Sequence, residues 1–235
     1  RSSDVDRSSN VFRVANDRVF GSRATVDYSH ASNSDGSSDA LAVLRPFYAL
    51  DARWAAGAVS SRYDLIDAIY NAGNVVSEYR HGQKFAEAHG GLSPGLVDGW
   101  VNRYSLGLNA REATYALEPG RVEPAALPAD QTLVGPFFRY QLQEDRFARE
   151  LNRNLIGRPE FFELGLVSNV QLGWAASALG STRDTLLYAG SVGRGFEPAE
   201  GQMLMARAAI SGQYAGGQVQ RQRLGAQTQY YRPQG

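Results

Sequence analysis

Cysteine is absent from the 235-residue chain, which removes disulfide frames, thiolate nucleophiles and thiolate metal sites together. Net charge is absent too. Lys+Arg and Asp+Glu are both 24, so nothing in the charge balance points to nucleic acid or to anionic lipid. Within the cations lysine is scarce and arginine dominates. No apolar run approaches the ~18 residues of a membrane helix, and the mean hydropathy is −0.36. That excludes a helical membrane protein only, because a transmembrane barrel turns half of each strand towards a polar lumen and so has ordinary average hydropathy. No leader is visible, and neither RSSDVDRSSN nor YYRPQG reads as a natural terminus, so a piece of a longer chain is expected. Helical periodicity is weak throughout, with the best helix candidate at Asp64–Asn71 inside a loop.

Period-two alternation is abundant instead. Phe20, Ala24, Val26 and Tyr28 alternate with Gly21, Arg23, Thr25 and Asp27. Trp100, Tyr104, Leu106, Leu108 and Ala110 alternate with Arg103, Ser105, Gly107, Asn109 and Arg111, with Asn102 as the interruption. Phe138, Tyr140 and Leu142 form another such set. Phe162, Leu164, Leu166, Val170, Leu172 and Trp174 read as one run. Two more are Leu204, Ala206, Ala208, Ile210, Tyr214 and Leu224, Ala226, Thr228, Tyr230. With weaker segments near 10–16, 40–48, 52–63, 75–90 and 185–196, about eleven strands are expected.

Connections at Asn16–Arg18, Leu50–Asp51 and Glu197–Gly201 read as short. Those at Ala31–Asp39, Arg62–Asn74 and Tyr115–Thr132 read as long. This short–long rhythm belongs to up-and-down membrane barrels. Asp145–Pro159, long where a short turn is due, and Tyr214–Gln218, tight where a long loop is due, break it.

A soluble sandwich also alternates, but three details favour lipid. Several runs reach the ~9–11 residues that cross a bilayer at a tilt. Aromatics cluster near strand ends (Tyr28, Trp54, Trp100, Tyr104, Trp174, Tyr188, Tyr214, Tyr230, Tyr231), where interfacial girdles form. The polar face is rich in Gly, Ser, Gln, Asn and Arg, which suits a confined wet lumen in which an arginine fork bonds neighbouring strands. The lumen-facing candidates are Arg103, Asn109, Arg111, Arg139, Gln141, Arg207 and Arg223. The lipid-facing candidates are Tyr104, Leu106, Leu108, Phe138, Tyr140, Leu166, Leu172 and Ile210. The five arginines are read as structural cross-links to acidic residues, with a charged pore lining as the alternative.

Motifs for chemistry fail on inspection. Gly91-Leu92-Ser93-Pro94-Gly95 has the letters of a nucleophile elbow, but the residue after the serine must lend a backbone N–H and here it is proline. The hydrolase order Ser…Asp…His also fails, because the only histidines (His30, His81, His89) all lie upstream of Ser93. The stretch reads as a turn. His81 and His89 on one strand stand about 26 Å apart, too far for one metal. No P-loop or dinucleotide fingerprint is present. No catalytic residue, metal site or cofactor is expected.

Several strings resemble a known family. Leu44-Arg45-Pro46-Phe47-Tyr48-Ala49-Leu50-Asp51-Ala52-Arg53-Trp54, Gly95-Leu96-Val97-Asp98-Gly99-Trp100, Gly135-Pro136-Phe137-Phe138-Arg139-Tyr140-Gln141, Glu144-Asp145-Arg146-Phe147, Ile156-Gly157-Arg158-Pro159-Glu160-Phe161 and Leu179-Gly180-Ser181-Thr182-Arg183-Asp184 are similar to the bacterial surface-antigen superfamily. These are the outer-membrane assembly and translocation barrels of the BamA, TamA and FhaC kind. The likeness spans most of residues 10–232. It implies an all-β, antiparallel up-and-down transmembrane barrel, with residues 1–235 as one domain and part of a sixteen-stranded whole that lacks the soluble POTRA domains and the last strands. It implies insertion or translocation of polypeptides at the outer membrane of a Gram-negative bacterium, without covalent chemistry. The partners it implies are outer-membrane lipid and a polypeptide substrate or accessory assembly proteins, with no nucleic acid. Arg194-Gly195-Phe196 has the letters of the family's lumenal tripeptide but sits at a strand end beside a short turn, so it reads as coincidence. The alternatives are a passive porin-like pore, the membrane anchor of a fused enzyme of the patatin-like kind, and a soluble β-rich binding module.

Overall fold

In the computed structural model, which describes residues 2–3, 7–151 and 157–232, nearly every regular element is a strand. In chain order these are β1 (Ser2–Ser3), β2 (Ser8–Asn16), β3 (Thr25–Asn33), β4 (Gly36–Arg45), β5 (Trp54–Asn71), β6 (Asn74–Leu92), β7 (Leu96–Val97), β8 (Trp100–Leu117), β9 (Gln131–Glu144), β10 (Phe147–Leu151), β11 (Pro159–Glu163), β12 (Val167–Ala175), β13 (Thr185–Phe196), β14 (Met203–Ala215) and β15 (Gln218–Tyr231). Thirteen of them form one antiparallel sheet in the order β1-β2-β3-β4-β5-β6-β8-β9-β12-β13-β14-β15, with β7 paired to β8. Among the described residues β10 and β11 pair only with each other. Each long strand therefore bonds to its sequence neighbours, the up-and-down meander expected. Among the described residues the first and last strands of the path do not pair, so the sheet stays open. Eleven strands have nine or more residues, which agrees with the expected count. No described helix is long and apolar enough to cross a membrane, which says nothing of crossing by strands.

Several expectations are corrected. Asp64–Asn71 is strand, the end of β5. Leu65, Ile66 and Ile69 mimic helical spacing, but each is hydrogen-bonded in register to β6, Leu65 opposite His81 and Ile66 opposite Arg80. The expected long loop 62–74 is accordingly a hairpin that turns only at Ala72-Gly73. The loop expected at 31–39 is likewise a hairpin, turning at Ser34-Asp35. On the opposite end the short turn expected at Asn16–Arg18 is an eight-residue connection with a 3-10 turn at Val19–Gly21, so Phe20 is no strand residue and lies fully exposed. Phe162 to Trp174 is not one strand. β11 ends at Glu163, Leu164 is buried, and β12 restarts at Val167. The connection after Asp145 is long as expected. It carries the β10–β11 hairpin, and residues 152–156, including Ile156 of one family-like string, lie outside the described residues. The Tyr214–Gln218 hairpin is tight as expected, turning at Gly216-Gly217. Trp54 and Trp100 open their strands, and Trp174, Tyr214, Tyr230 and Tyr231 lie within two residues of a strand end, whereas Tyr28 and Tyr188 are mid-strand.

Leu164 explains how the β10–β11 excursion is held. Its carbonyl accepts the Gly195 N–H at 3.1 Å, and a Cβ on Gly195 would stand 2.6 Å from the Leu164 side chain and 2.9 Å from its Cα. The returning segment thus lies directly on β13, and only glycine permits that approach. Arg194-Gly195-Phe196 closes β13 at the turn 197–202, in the strand-end position read from the sequence.

Candidate functional site

Strand pairing sorts the side chains into two faces, because successive residues alternate and opposed residues share a side. One face carries Tyr104, Leu106 and Leu108 on β8. They stand opposite Tyr140, Phe138 and Pro136 on β9, and Phe138 opposes Leu172 on β12. Through Tyr188 and Gly190 of β13 this face continues to Ile210 and then to Leu224. Seven of the eight apolar candidates lie on it within strands. Leu166 falls one residue before β12, half-buried, its N–H donated to a Glu144 carboxylate oxygen and its carbonyl accepting the Glu144 N–H. Leu106 and Leu108 are 69% and 62% exposed, so the face is apolar yet uncovered. Asn102 belongs to the same face and accepts a hydrogen bond from the Tyr140 hydroxyl at 2.7 Å, so the apparent interruption of the apolar run is a satisfied polar pair.

The other face gathers all seven polar candidates. Arg103 stands opposite Gln141, which stands opposite Asn169. Arg139 lies between Ser105 and Gln171, and Asn109 opposes Glu87. Arg207 opposes Gly193 and Gln227, and Arg223 opposes Ser211.

Arg139 is the centre of a hydrogen-bonded cluster on this face. Its Nη2 donates to Glu87 Oε1 at 3.0 Å and its Nε to Gln171 Oε1 at 2.8 Å. His89 Nδ1 stands 3.3 Å from the same Glu87 oxygen. Glu87 lies on β6, two strands from Arg139. The guanidinium crosses β8 past Ser105, which opposes Arg139, and Gly107, to reach Glu87 beside Asn109. The Arg139 and Glu87 side chains are 21% and 10% exposed, and a charge-assisted pair removed this far from water is stronger than one at the surface.

The other arginines correct the expectation of acidic cross-links. Arg103 lies over the Phe47 ring at 5.2 Å and reaches the Ala49 carbonyl at 3.4 Å, while its buried Nε has no hydrogen-bond partner. Arg111 lies over Phe85. Arg207 and Arg223 are exposed and have no ion pair among the described residues. Among the described residues Arg139 is the one of the five that makes the expected link. Phe47 and Ala49 come from the connection between β4 and β5, which folds over the polar face.

Glu87, His89, Gln171 and Asn169 are not among the lumen-facing candidates named from the sequence. Glu87 was legible in principle, since it alternates with Ala86 and Ala88. The meeting of Glu87 with Arg139 depends on the register of three strands, which the sequence does not spell out.

Where β5, β6 and β8 run past the apolar residues, both faces become polar. On the apolar side Asp39, Arg62, Lys84 and Glu112 stand in one directly opposed row across β4, β5, β6 and β8. Beyond that row Arg80 donates to both oxygens of Glu118, at 2.7 and 3.0 Å, and to Asp64 at 2.8 Å. Arg80 thereby holds the Glu118 carboxyl, in the β8–β9 connection, below its usual range, first through the hydrogen bonds and then through its charge. On the polar side His81 is stacked on Tyr115 at 4.7 Å and met edge-on by Tyr63, with its Nδ1 2.7 Å from Asp67.

No family model matches the chain, and no curated protein matches it in sequence. Its structure is similar to that of BamA from Haemophilus ducreyi lacking POTRA domains 1–3, with a TM-score of 0.52 at 12% identity. The superposition covers 90% of this chain and 39% of that one. At this identity the likeness shows the fold: the chain has the architecture of part of such a barrel.

Proposed function

We propose that the chain is part of an outer-membrane β-barrel of a Gram-negative bacterium, apolar face to lipid and polar face to lumen, serving the insertion or translocation of polypeptides. The observation that carries this reading is the division of the meander into an uncovered apolar face and a polar face with a half-buried ion pair. Contiguous exposed apolar surface on this scale needs a cover in water, and lipid supplies one that asks nothing of the backbone already paired within the sheet. The BamA likeness supports the assembly branch through the fold. The work is done by side-chain surfaces and strand pairing and needs no covalent chemistry.

Arg207 and Arg223 favour a second reading. Cations on the polar face with no ion pair among the described residues suit an anion-selective pore. Proteoliposomes containing the purified protein separate the two. Acceleration of the folding of an added unfolded barrel protein supports assembly. Anion-selective conductance without such acceleration supports the pore. Partition into the aqueous phase without detergent overturns both.

A further inference from the structure

The apolar face carries a depression bordered by charged residues. Over β5, β6 and β8 its floor is made of small side chains, Ser60, Ala86 and Ala110, directly opposed in register or one strand apart. Tyr28 and Leu41 wall one side and Val134 the other, around a cavity of about 600 Å³. The charged row Asp39–Arg62–Lys84–Glu112 stands at its head, one step along each strand. The two cations are neighbours, and each leans outward to its own carboxylate: Arg62 Nε donates to Asp39 at 2.9 Å and Lys84 Nζ to Glu112 at 3.2 Å. Like charges directly opposed across strands repel. Arg62 and Lys84 remain 72% and 68% exposed, with donors free for a shared anion.

We propose that this groove holds one phosphatidylethanolamine molecule. This rests on the membrane reading above. An acyl chain lies on the Ser60–Ala86–Ala110 floor. The phosphate bridges Arg62 and Lys84, and the ammonium meets Glu112, the more open of the two carboxylates. The row reads minus, plus, plus, minus, and its sum is zero. That pattern complements a zwitterion, whereas a lipid carrying phosphates alone meets the flanking carboxylates as repulsion.

The test is native mass spectrometry of the full chain released from detergent micelles doped with phosphatidylethanolamine, phosphatidylglycerol or lipid A. The expected result is one retained phosphatidylethanolamine, in preference to the other two. Retention falls about tenfold or more in R62Q/K84Q, as the loss of two cation contacts predicts. It falls likewise in A86F, which fills the floor with an apolar group and keeps the face compatible with lipid. Wild-type retention by both variants, or equal retention of phosphatidylglycerol or lipid A, overturns the lipid site while leaving the barrel reading intact. Failure of the wild-type chain to enter vesicles overturns the barrel reading, and the lipid site with it.

Discussion

Single side chains on this sheet have meaning through the face they occupy. Leu106 and Leu172 stand on the apolar face, and Leu106 is among its most exposed members. If that face meets the middle of a bilayer, Leu106→Arg or Leu172→Arg costs about 2–4 kcal/mol of folding stability in vesicles. Urea titration in liposomes measures it, and an unchanged midpoint would show that the face does not meet lipid. Glu118 offers a pH test outside the sheet. Its carboxyl is depressed by Arg80, so the tether is present above the unfolded value and is lost as pH falls through the folded one. The loop it anchors also accepts the Glu78 amide at the Val122 carbonyl. Protection of the Glu78 amide from exchange, corrected for intrinsic rate, should therefore drop on acidification below about pH 4. In Glu118→Gln that pH dependence should vanish.

At the scale of elements, alternation revealed the strands wherever one face was apolar and the other polar. It failed where β5 and β6 leave the apolar band. There Asp64, Leu65, Ile66 and Asp67 belong to a sheet with mixed surroundings on both sides, so period two fades and an accidental helical spacing shows through. It also ran together Phe162–Trp174, because an apolar residue such as Leu164 looks the same whether it continues a strand or plugs an excursion. The membership of both faces was legible from parity. The Arg139–Glu87 link and the aromatic cage around His81 were not, since each is set by the register of three neighbouring strands. The hinge of the β10–β11 excursion gives a prediction at this scale. Gly195→Ala forces a methyl against the Leu164 backbone and should release the hairpin. Limited proteolysis should then cut within it at least several-fold faster, with the sheet's circular dichroism unchanged. Unaltered cleavage would mean that the hairpin is held elsewhere.

For the whole molecule, the open path from β1 to β15 implies a gradient of backbone protection. Central β6 and β8 are paired on both sides, whereas among the described residues β15 pairs only with β14. Amide exchange in micelles should be slowest in β6 and β8 and faster by orders of magnitude in alternate residues of β15. Uniform slow exchange across β15 would show that another strand covers that edge. The pairing of β5 with β6 also bears on how the molecule is made. Strands of 18 and 19 residues meet at a two-residue turn, so their contacts close small loops one after another, outward from Ala72-Gly73. Loop-closure entropy is least there, and the meander adds each further strand beside its predecessor. The hairpin is thus the natural seed of folding, and the sheet grows from it by zippering. Pulse-labelled exchange during refolding should protect the amides beside Ala72-Gly73 first, and earliest protection at β2 or β15 would place the seed at an edge instead.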